Sequence, residues 1–290
     1  MRPRFPWQLR SRTLPLGERT LVMGIVNVTP DSFSDGGDFL RPEAAIEHGL
    51  RLLDEGADIV DIGGESTRPG KKQPVTADEE LRRVLPVVEG LLSRSPAAVI
   101  SVDTYRANVA RAAVAAGAEI VNDVSAFTWD PAMGKTVADL KCGAILMHMR
   151  GRPEAWRTQP PDPDIVATVK RELCAAAEKG IAAGVAKANL MLDPGFGFGK
   201  NFDENYPLLA RFAQLHDLGF PLLSGTSRKS FIGRTLAANG QDAPTNARLT
   251  GTLATVTASI LAGAHIVRVH DVKPAVETAK IADAILRAQS

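Results

Sequence analysis

Eight short apolar segments, rich in β-branched residues, recur along the chain and alternate with segments of helical spacing. The apolar segments are Thr20–Asn27, Ala57–Gly63, Ala97–Thr104, Ala118–Asp123, Gly143–Met149, Asn189–Asp193, Phe220–Ser224 and His265–His270. Strands that are buried on both faces of a parallel sheet show such continuous apolar runs. The pattern therefore predicts eight parallel strands.

The intervening segments repeat apolar residues with the period of an α-helix. The predicted helices are Pro42–Glu55, Thr76–Ser93, Ala107–Ala116, Pro131–Leu140, Asp164–Ala183, Asp203–His216 and Lys273–Ala288. The longer segment Ser230–Ala262 is expected to hold two helices that are split near Pro244, and Thr76 with Glu79 forms a capping-box pattern. Because an open doubly wound sheet usually has roughly six strands, eight β-then-α units favour an α/β fold of the (β/α)8 TIM-barrel type.

The N-terminal residues precede the first predicted barrel strand and have a different pattern. We predict that Trp7–Thr13 and Arg19–Val22 pair as a β-hairpin around Pro15-Leu16-Gly17 and plug the bottom of the barrel. Linkers and low-complexity tracts are not evident, so residues 1–290 are expected to form a single domain.

Composition narrows the class of protein. The 34 basic and 33 acidic residues give a formal net charge of +1, which provides no global field for nucleic acid or an anionic membrane. No apolar stretch reaches the roughly 20 residues that span a bilayer. The two cysteines are compatible with a reducing compartment and are too few for a Cys-rich zinc site. A cytoplasmic enzyme with small-molecule substrates is the class that these features favour.

Polar residues suited to chemistry follow the predicted strands. In a parallel barrel the carboxyl ends of all strands meet at one face, where they build a single active site. Asn27 ends the first strand, and its amide oxygen suits a hard cation such as Mg²⁺. It can equally be read as a residue that caps the strand. After the second strand, Glu65-Ser66-Thr67-Arg68 suits an anion, or forms a turn with a solvated arginine.

Three further polar residues follow three other strands. Asp103, Asn122 and Asp193 together form an acceptor-rich pocket for a flat heterocycle with N–H donors. Binding of a divalent metal and helix capping are the alternatives. The stretch from Asp193 to Lys200 alternates glycine with phenylalanine, which allows close approach of a ligand beside aromatic rings.

The last two strands are followed by cations. Thr226-Ser227-Arg228-Lys229-Ser230 opens a helix, and barrel enzymes often bind phosphate near strands seven and eight. Lys229 could instead form a Schiff base, although nothing in the sequence favours its desolvation. Arg268 and His270 share one face of the eighth strand and would complete a phosphate clamp, with a core or capping role for His270 as the alternative. His148 either lines or supports the pocket.

These residues lie in sequence motifs that resemble the dihydropteroate synthase family of the bacterial folate pathway. The motifs are Met23–Gly37, Asp61–Gly70, Asp193–Lys200, Thr226–Ser230 and Arg268–His270, and the resemblance covers the chain from about Leu21 onward. It implies that 6-hydroxymethyl-7,8-dihydropterin pyrophosphate and p-aminobenzoate condense to 7,8-dihydropteroate and pyrophosphate with Mg²⁺. It also implies a homodimer.

The resemblance assigns roles to individual residues. It implies pterin binding by Asp103, Asn122, Asp193 and Lys229, and pyrophosphate binding by Asn27, Arg68, Arg268 and His270. The residues expected to receive p-aminobenzoate are Phe33, Thr67, Phe198 and Ser230. Asn27 is the expected metal ligand, and the expected catalytic residues are Asp35, Arg68, Lys229, Arg268 and His270.

We hypothesise that the reaction is an SN1-like displacement in which loops exclude water. A methyltetrahydrofolate:corrinoid methyltransferase would keep the pterin pocket without needing the cations Arg68, Lys229 and Arg268. A catalytically silent paralogue that only binds pterin or a protein partner would be expected to have damaged loops after the first two strands. Both loops match the family pattern here.

Overall fold

The computed structural model describes residues 2–28, 42–65 and 75–288. Two strands, β1 (Phe5–Gln8) and β2 (Thr13–Leu16), precede the barrel. The barrel strands are β3 (Leu21–Asn27), β4 (Ile59–Gly63), β5 (Ile100–Asp103), β6 (Ile120–Asp123), β7 (Gly143–Met147), β8 (Leu190–Asp193), β9 (Leu223–Ser224) and β10 (Ile266–Val269). Each of them lies within one of the eight predicted segments.

The eight strands form a (β/α)8 TIM barrel, as predicted. They are hydrogen-bonded in the order β8-β7-β6-β5-β4-β3-β10-β9. A parallel bridge between Leu192 and Leu222 joins the two outer strands of that order. All pairings within the barrel are parallel, so the carboxyl ends of the strands meet at one face.

Helices follow the strands and cover the outside of the barrel. They are α1 (Pro42–Asp54), α2 (Ala77–Arg94), α3 (Ala107–Ala115), α4 (Met133–Leu140), α5 (Ile165–Ala182), α6 (Asn205–Ala210), α7 (Ser230–Thr235), α8 (Leu249–Leu261) and α9 (Val272–Ala288). The predicted split near Pro244 is confirmed, because α7 and α8 flank it. Half of the predicted capping box forms: the hydroxyl of Thr76 accepts a hydrogen bond from the backbone N–H of Glu79 at 3.3 Å. The Glu79 carboxylate pairs with Arg82 instead.

The predicted helix Asp203–His216 is wrong as a single element. The chain there forms a 3₁₀ turn at Phe202–Glu204, then α6, then a second 3₁₀ segment at Phe212–Leu218. Pro207 has no N–H with which to continue the α-helical ladder from the first turn. Arg211, with φ −107° and ψ 18°, leaves the helical region before the last segment.

The N-terminal hairpin exists, but its predicted turn is misplaced. β1 pairs with β2 in antiparallel register from Phe5↔Leu16 to Gln8↔Thr13, so the connection runs through residues 9–12 and not through 15–17. Gly17 lies after β2 with φ +105°. Glycine is needed there because a Cβ atom would come within 2.4 Å of the Pro3 carbonyl oxygen. Residues 21–22, which were predicted to pair within the hairpin, belong to the first barrel strand, β3.

The hairpin closes the bottom of the barrel. Trp7 and Leu9 pack in one buried cluster with residues near the amino ends of the barrel strands; the cluster includes Met23, Ile59, Ile120, Ile145, Met191, Leu223 and Ile266. The Trp7 indole donates a hydrogen bond to the Asn189 carbonyl oxygen at 2.8 Å. No helix in residues 2–28, 42–65 and 75–288 is long and apolar enough to cross a membrane.

Candidate active site

A cavity of about 390 Å³ opens at the carboxyl ends of the strands. Many of the residues predicted to bind substrate line it, and these are Asn27, Asp103, Phe198, Lys229, Ser230, Arg268 and His270. Asn122 and Asp193 are buried, at 4% and 5% exposure, near the carboxyl ends of β6 and β8. The barrel therefore brings the predicted residues of its described strands to one place.

Arg268 links the acids at the base of this cavity. Its Nε donates to Asp61 Oδ2 at 2.6 Å, and one Nη donates to Asp103 Oδ2 at 2.8 Å. The side-chain amide of Asn122 donates to the same Asp61 oxygen at 3.1 Å. Four strands, β4, β5, β6 and β10, are thereby joined by one polar network.

The charges of this network offset the cost of its burial. Burial opposes the charge of Arg268, but Asp61 and Asp103 outweigh it and raise the pKa of Arg268. Burial raises the pKa of Asp103 to about 7, with Arg268 opposing the shift and Asp61 adding to it. Burial thus favours the neutral form of Asp103, and the guanidinium of Arg268 favours the carboxylate.

The loop after β8 makes close backbone contacts that require glycine. Gly195, Gly197 and Gly199 have φ values of +65°, +79° and +68°. A Cβ atom at Gly195 would lie 1.9 Å from the His148 carbonyl oxygen, and one at Gly199 would lie 2.2 Å from that of Arg150. The alternation of glycine with phenylalanine predicts close approach of a ligand. In the structure, two of these glycines allow close approach of the backbone at His148 and Arg150.

The same loop positions an acid and an aromatic ring. The Gly195 N–H donates to Asp193 Oδ1 at 2.7 Å. Burial raises the pKa of Asp193 even though this hydrogen bond and the charge of Lys229 lower it. The Lys229 ammonium lies 3.8 Å from the centre of the Phe198 ring, in a cation–π contact.

The segment after β9 contributes groups on both sides of the cavity rim. Lys229 precedes α7, and Ser230 is its first residue. The Ser227 hydroxyl lies 2.9 Å from His270 Nδ1 and accepts from the His270 backbone N–H at 3.2 Å. Arg228 is paired with Asp271 through two hydrogen bonds, at 2.9 and 2.5 Å. Arg228 is thus neutralised, whereas Lys229 faces the aromatic wall.

Four predicted residues lie outside the described part of the chain: Phe33, Asp35, Thr67 and Arg68. Among the described residues there is no group of three or more His, Cys, Asp or Glu side chains that could hold a metal. Mg²⁺ commonly uses only one or two protein ligands together with water and substrate phosphates. Asn27 in a cavity lined by cations fits that kind of site, in which phosphate supplies most of the oxygen ligands.

The sequence pattern assigns no role to Lys200 and leaves that of His148 open. Lys200 Nζ lies 2.9 Å from His148 Nδ1, and His148 Nε2 lies 3.0 Å from Glu172 Oε2. His148 borders a second cavity of about 400 Å³ beside α5 and is absent from the residues that line the first cavity. A charged residue directly after a buried glycine-rich loop was the one available signal for Lys200.

Comparison with known proteins identifies the family. The model of the pterin binding enzyme family matches residues 23–270. Dihydropteroate synthase of Escherichia coli (strain K12) is 44% identical over 268 residues, which cover 92% of each chain. The enzyme of the same name from Bacillus subtilis (strain 168) is 45% identical over 269 residues, with 93% of this chain and 90% of that one covered.

Solved structures agree with the sequence matches. Dihydropteroate synthase of Xanthomonas albilineans with 4-aminobenzoic acid superposes with a TM-score of 0.88 at 45% identity, covering 99% of both chains. The same enzyme in complex with 7,8-dihydropteroate gives 0.85 at 43% identity, covering 98% of this chain and 99% of that one. This chain is therefore a pterin-binding enzyme and belongs to the dihydropteroate synthase family of transferases.

Proposed function

We propose that this enzyme joins 6-hydroxymethyl-7,8-dihydropterin pyrophosphate to p-aminobenzoate, giving 7,8-dihydropteroate and pyrophosphate. The observation that carries the proposal is one cavity in which buried hydrogen-bond acceptors lie below a rim of cations. Such a site matches a heterocycle with N–H donors that bears a diphosphate. The relatives whose solved structures hold 4-aminobenzoic acid or 7,8-dihydropteroate support the same pair of ligands.

The pterin ring would bind in the deep part of the cavity. Carboxylates accept hydrogen bonds from ring and exocyclic N–H groups, which suits Asp103 and Asp193. Asn122 can both donate and accept, and its amide is oriented by Asp61. Lys229 would contribute a further donor from the rim.

The diphosphate would bind among the cations. Arg268 and His270 line the cavity on the side of β10, and Arg68 is expected to join them from outside the described residues. Asn27 would hold Mg²⁺ together with the phosphate oxygens. When bound, the metal would neutralise negative charge on the leaving group.

The p-aminobenzoate would lie near the outer wall. The Phe198 ring offers a flat face, and the Ser230 hydroxyl and the backbone around it offer donors to a carboxylate. Phe33 and Thr67 are expected to complete this subsite from outside the described residues. An aromatic acid fits an aromatic wall beside a cation.

The proposed chemistry is an SN1-like displacement. The C–O bond between the pterin methylene and pyrophosphate breaks, and its electron pair leaves with the pyrophosphate. The amino nitrogen of p-aminobenzoate then forms the C–N bond and releases a proton. Arg268 and His270 would stabilise the anion that forms, and Asp103 and Asp193 would favour the positive charge that develops on the pterin. Asp35 stays an expected catalytic residue.

We also propose that the enzyme acts in the cytoplasm as a homodimer. α8 and α9 pack side by side and leave large apolar side chains exposed, including Leu261 on α8 and Ile281 and Ile285 on α9. A second copy would bury this face. Light scattering should give twice the mass of the chain, and Ile281→Glu should reduce it toward the monomer. A wild-type monomer at micromolar concentration would refute the dimer.

Product formation tests the proposed reaction. Purified enzyme is incubated with both substrates, with and without Mg²⁺, and the mixture is separated by chromatography. We expect dihydropteroate and an equal amount of pyrophosphate in the presence of Mg²⁺ only. Tight pterin binding without product would instead indicate a silent paralogue or a methyltransferase. Omitting p-aminobenzoate tests the mechanism, because an SN1-like route predicts pyrophosphate release without it.

A further inference from the structure

We infer that Lys200 is a positioning residue for the proposed reaction, and that its ammonium group holds the loop after β8 in the shape that binds substrate. The inference depends on the proposed function, because the loop carries Phe198 and neighbours Asp193. Lys200 itself is absent from the residues that line the cavity. It would therefore act through its neighbours.

The Lys200 ammonium is buried and surrounded by backbone carbonyls. Only 7% of the surface of Lys200 is exposed. Nζ donates to the carbonyl oxygens of Gly195 at 2.8 Å, Phe198 at 3.3 Å and His148 at 3.4 Å. A buried cation without hydrogen-bond partners is costly, because the charge loses its hydration. The three carbonyls replace part of the water that Lys200 loses. Burial still lowers the pKa of Lys200 to about 7, and the charge of Asp193 opposes the shift.

The Gly195 peptide connects Lys200 to the pterin acid. Its N–H donates to Asp193 Oδ1 at 2.7 Å, and its carbonyl accepts from Lys200 at 2.8 Å. The N–H and the carbonyl of Gly195 belong to the two successive peptide planes that meet at its Cα atom, so the two hydrogen bonds hold both planes. The Gly195 carbonyl also accepts from the Phe198 N–H at 3.1 Å, and the ammonium adds the shorter of its two hydrogen bonds. Loss of the ammonium would weaken the hold on this carbonyl and, through the φ and ψ angles of Gly195, on the N–H that orients Asp193.

The Phe198 peptide connects Lys200 to the outer wall of the cavity. Its carbonyl accepts from Lys200 at 3.3 Å and from the Arg150 N–H at 3.3 Å. The Phe198 ring packs edge-on against Trp156, with ring centroids 5.5 Å apart, and faces Lys229. The same ammonium thus fixes groups in both proposed substrate subsites.

His148 and Glu172 extend this network from the loop to the surface. His148 Nε2 lies 3.0 Å from Glu172 Oε2 on α5, while its Nδ1 lies 2.9 Å from the ammonium. Burial first, and then the charge of Lys200, lower the pKa of His148 to about 4, so the ring is neutral at pH 7. A neutral ring whose Nε2–H donates to Glu172 leaves Nδ1 as an acceptor for Lys200. Glu172 would therefore set the tautomer that Lys200 needs.

Steady-state kinetics of Lys200→Met test the inference. Methionine keeps the bulk of the side chain but cannot donate a hydrogen bond. We expect KM to rise at least about tenfold for both the pterin and p-aminobenzoate substrates, with a smaller fall in kcat. Lys170→Met is the matched control, because Lys170 pairs with Asp217 on the surface and should leave both constants unchanged. A folded Lys200→Met variant with wild-type KM values would overturn the inference.

Two variants at Glu172 keep the test decisive if Lys200→Met does not fold. Glu172 is half exposed, so its substitution should be tolerated. Glu172→Ala should raise both KM values by a few-fold, whereas Glu172→Gln retains an acceptor for the His148 N–H and should restore them. Equal KM values for wild type, Glu172→Ala and Glu172→Gln would count against the network.

A binding measurement separates failure of this inference from failure of the proposed function. Calorimetry with the pterin substrate, and quenching of tryptophan fluorescence through Trp156, need no turnover. Wild type without product but with pterin binding weakened in Lys200→Met would reject the reaction and keep the positioning role. If the wild type forms product and Lys200→Met has unchanged pterin binding and KM values, the reaction is supported and the positioning role is rejected.

Discussion

Each buried acidic side chain at the candidate active site has a specific partner that offsets part of the cost of its desolvation. Asp61 and Asp103 share the guanidinium of Arg268, and Asp193 accepts the N–H of Gly195. Desolvation of a carboxylate costs far more than one hydrogen bond returns. We therefore expect removal of one of these acids to affect ligand binding more than folding.

Asp193→Ala tests this view at the level of one residue. We expect the barrel to stay folded and the pterin to bind more weakly by about 2–5 kcal/mol, because polar groups of the ligand would be buried without a partner. Calorimetry with the pterin substrate measures the change, and circular dichroism checks the fold. Asp203→Ala, at an exposed position, is the control. Unchanged affinity in Asp193→Ala would remove this residue from the pterin site.

Single residues differ in how far the sequence reveals them. The positions of Asp103, which lines the cavity, and of Asp193, which is buried, could be predicted because each ends a strand that is recognisable from its apolar run. Lys200 could not be assigned, because its partners are backbone carbonyls, including that of His148, which lies far away in the sequence. Hydrogen bonds to main-chain atoms have no side-chain signature.

At the scale of elements, one arginine joins the end of β4 to α2 and α3. Arg106 precedes α3, contacts the Glu65 carboxylate at 2.7 Å, donates to the Val75 carbonyl oxygen at 2.5 Å and pairs with Glu80. Glu80 is buried, with 1% of its side chain exposed. Burial raises the pKa of Glu80, with Arg106 among the groups that oppose the shift. The end of β4, α2 and the start of α3 are thus held together by the ion pairs of Arg106 with Glu65 and Glu80.

We predict that Arg106→Leu lowers the free energy of unfolding by about 3–5 kcal/mol, because Glu80 would be left buried without its cation. Urea denaturation measures the loss. The double variant Arg106→Leu, Glu80→Leu should recover part of it, since the fully buried carboxylate of Glu80 is then absent. Equal losses in the single and double variants would show that the ion pair is not the cause.

The N-terminal hairpin makes a second prediction about an element. Trp7 has no exposed surface and fills the bottom of the barrel. Trp7→Ala should destabilise the protein by about 3–5 kcal/mol through the cavity that it leaves. Thermal melts measure the loss, and Trp129→Ala, at a partly exposed position, is the comparison. KM values should not change below the melting transition, because the hairpin lies at the opposite end of the barrel from the cavity.

Elements were predictable where an apolar period defines them, and less so where local geometry does. The strands and most helices follow from their periodicity. The hairpin turn was misplaced because Pro15-Leu16-Gly17 resembles a turn, whereas the chain turns at residues 9–12 and Gly17 serves a close backbone contact. The segment around Pro207 kept a helical period but broke into shorter turns.

For the whole molecule, the two ends of the barrel have different tasks. The cavity with its buried charges lies at the carboxyl ends of the strands, and the apolar plug lies at the amino ends. Charges held without water reduce stability at one end, and apolar packing offsets that at the other. Changes at the plug should therefore alter unfolding, and changes at the cavity should alter binding.

The N-terminal segment also makes the stability of the whole molecule depend on pH. The ring of His265 accepts a hydrogen bond from the Leu222 N–H at 3.0 Å through Nδ1, and its Nε2 lies 2.9 Å from the Pro3 carbonyl oxygen. This geometry requires the neutral ring. Burial is the main cause that lowers the pKa of His265 from 6.5 to about 4.

Protonation of His265 therefore favours the unfolded chain as the pH falls. The unfolded state takes up its proton near pH 6.5 and the folded state only near pH 4, so the free energy of unfolding should fall between these values by about 3 kcal/mol. Above pH 6.5 this contribution is constant. Urea denaturation at several pH values should show a flatter dependence for His265→Gln than for wild type. His48→Gln, which removes a half-buried histidine, should flatten it less. Parallel curves for wild type and His265→Gln would show that another group controls the acid sensitivity.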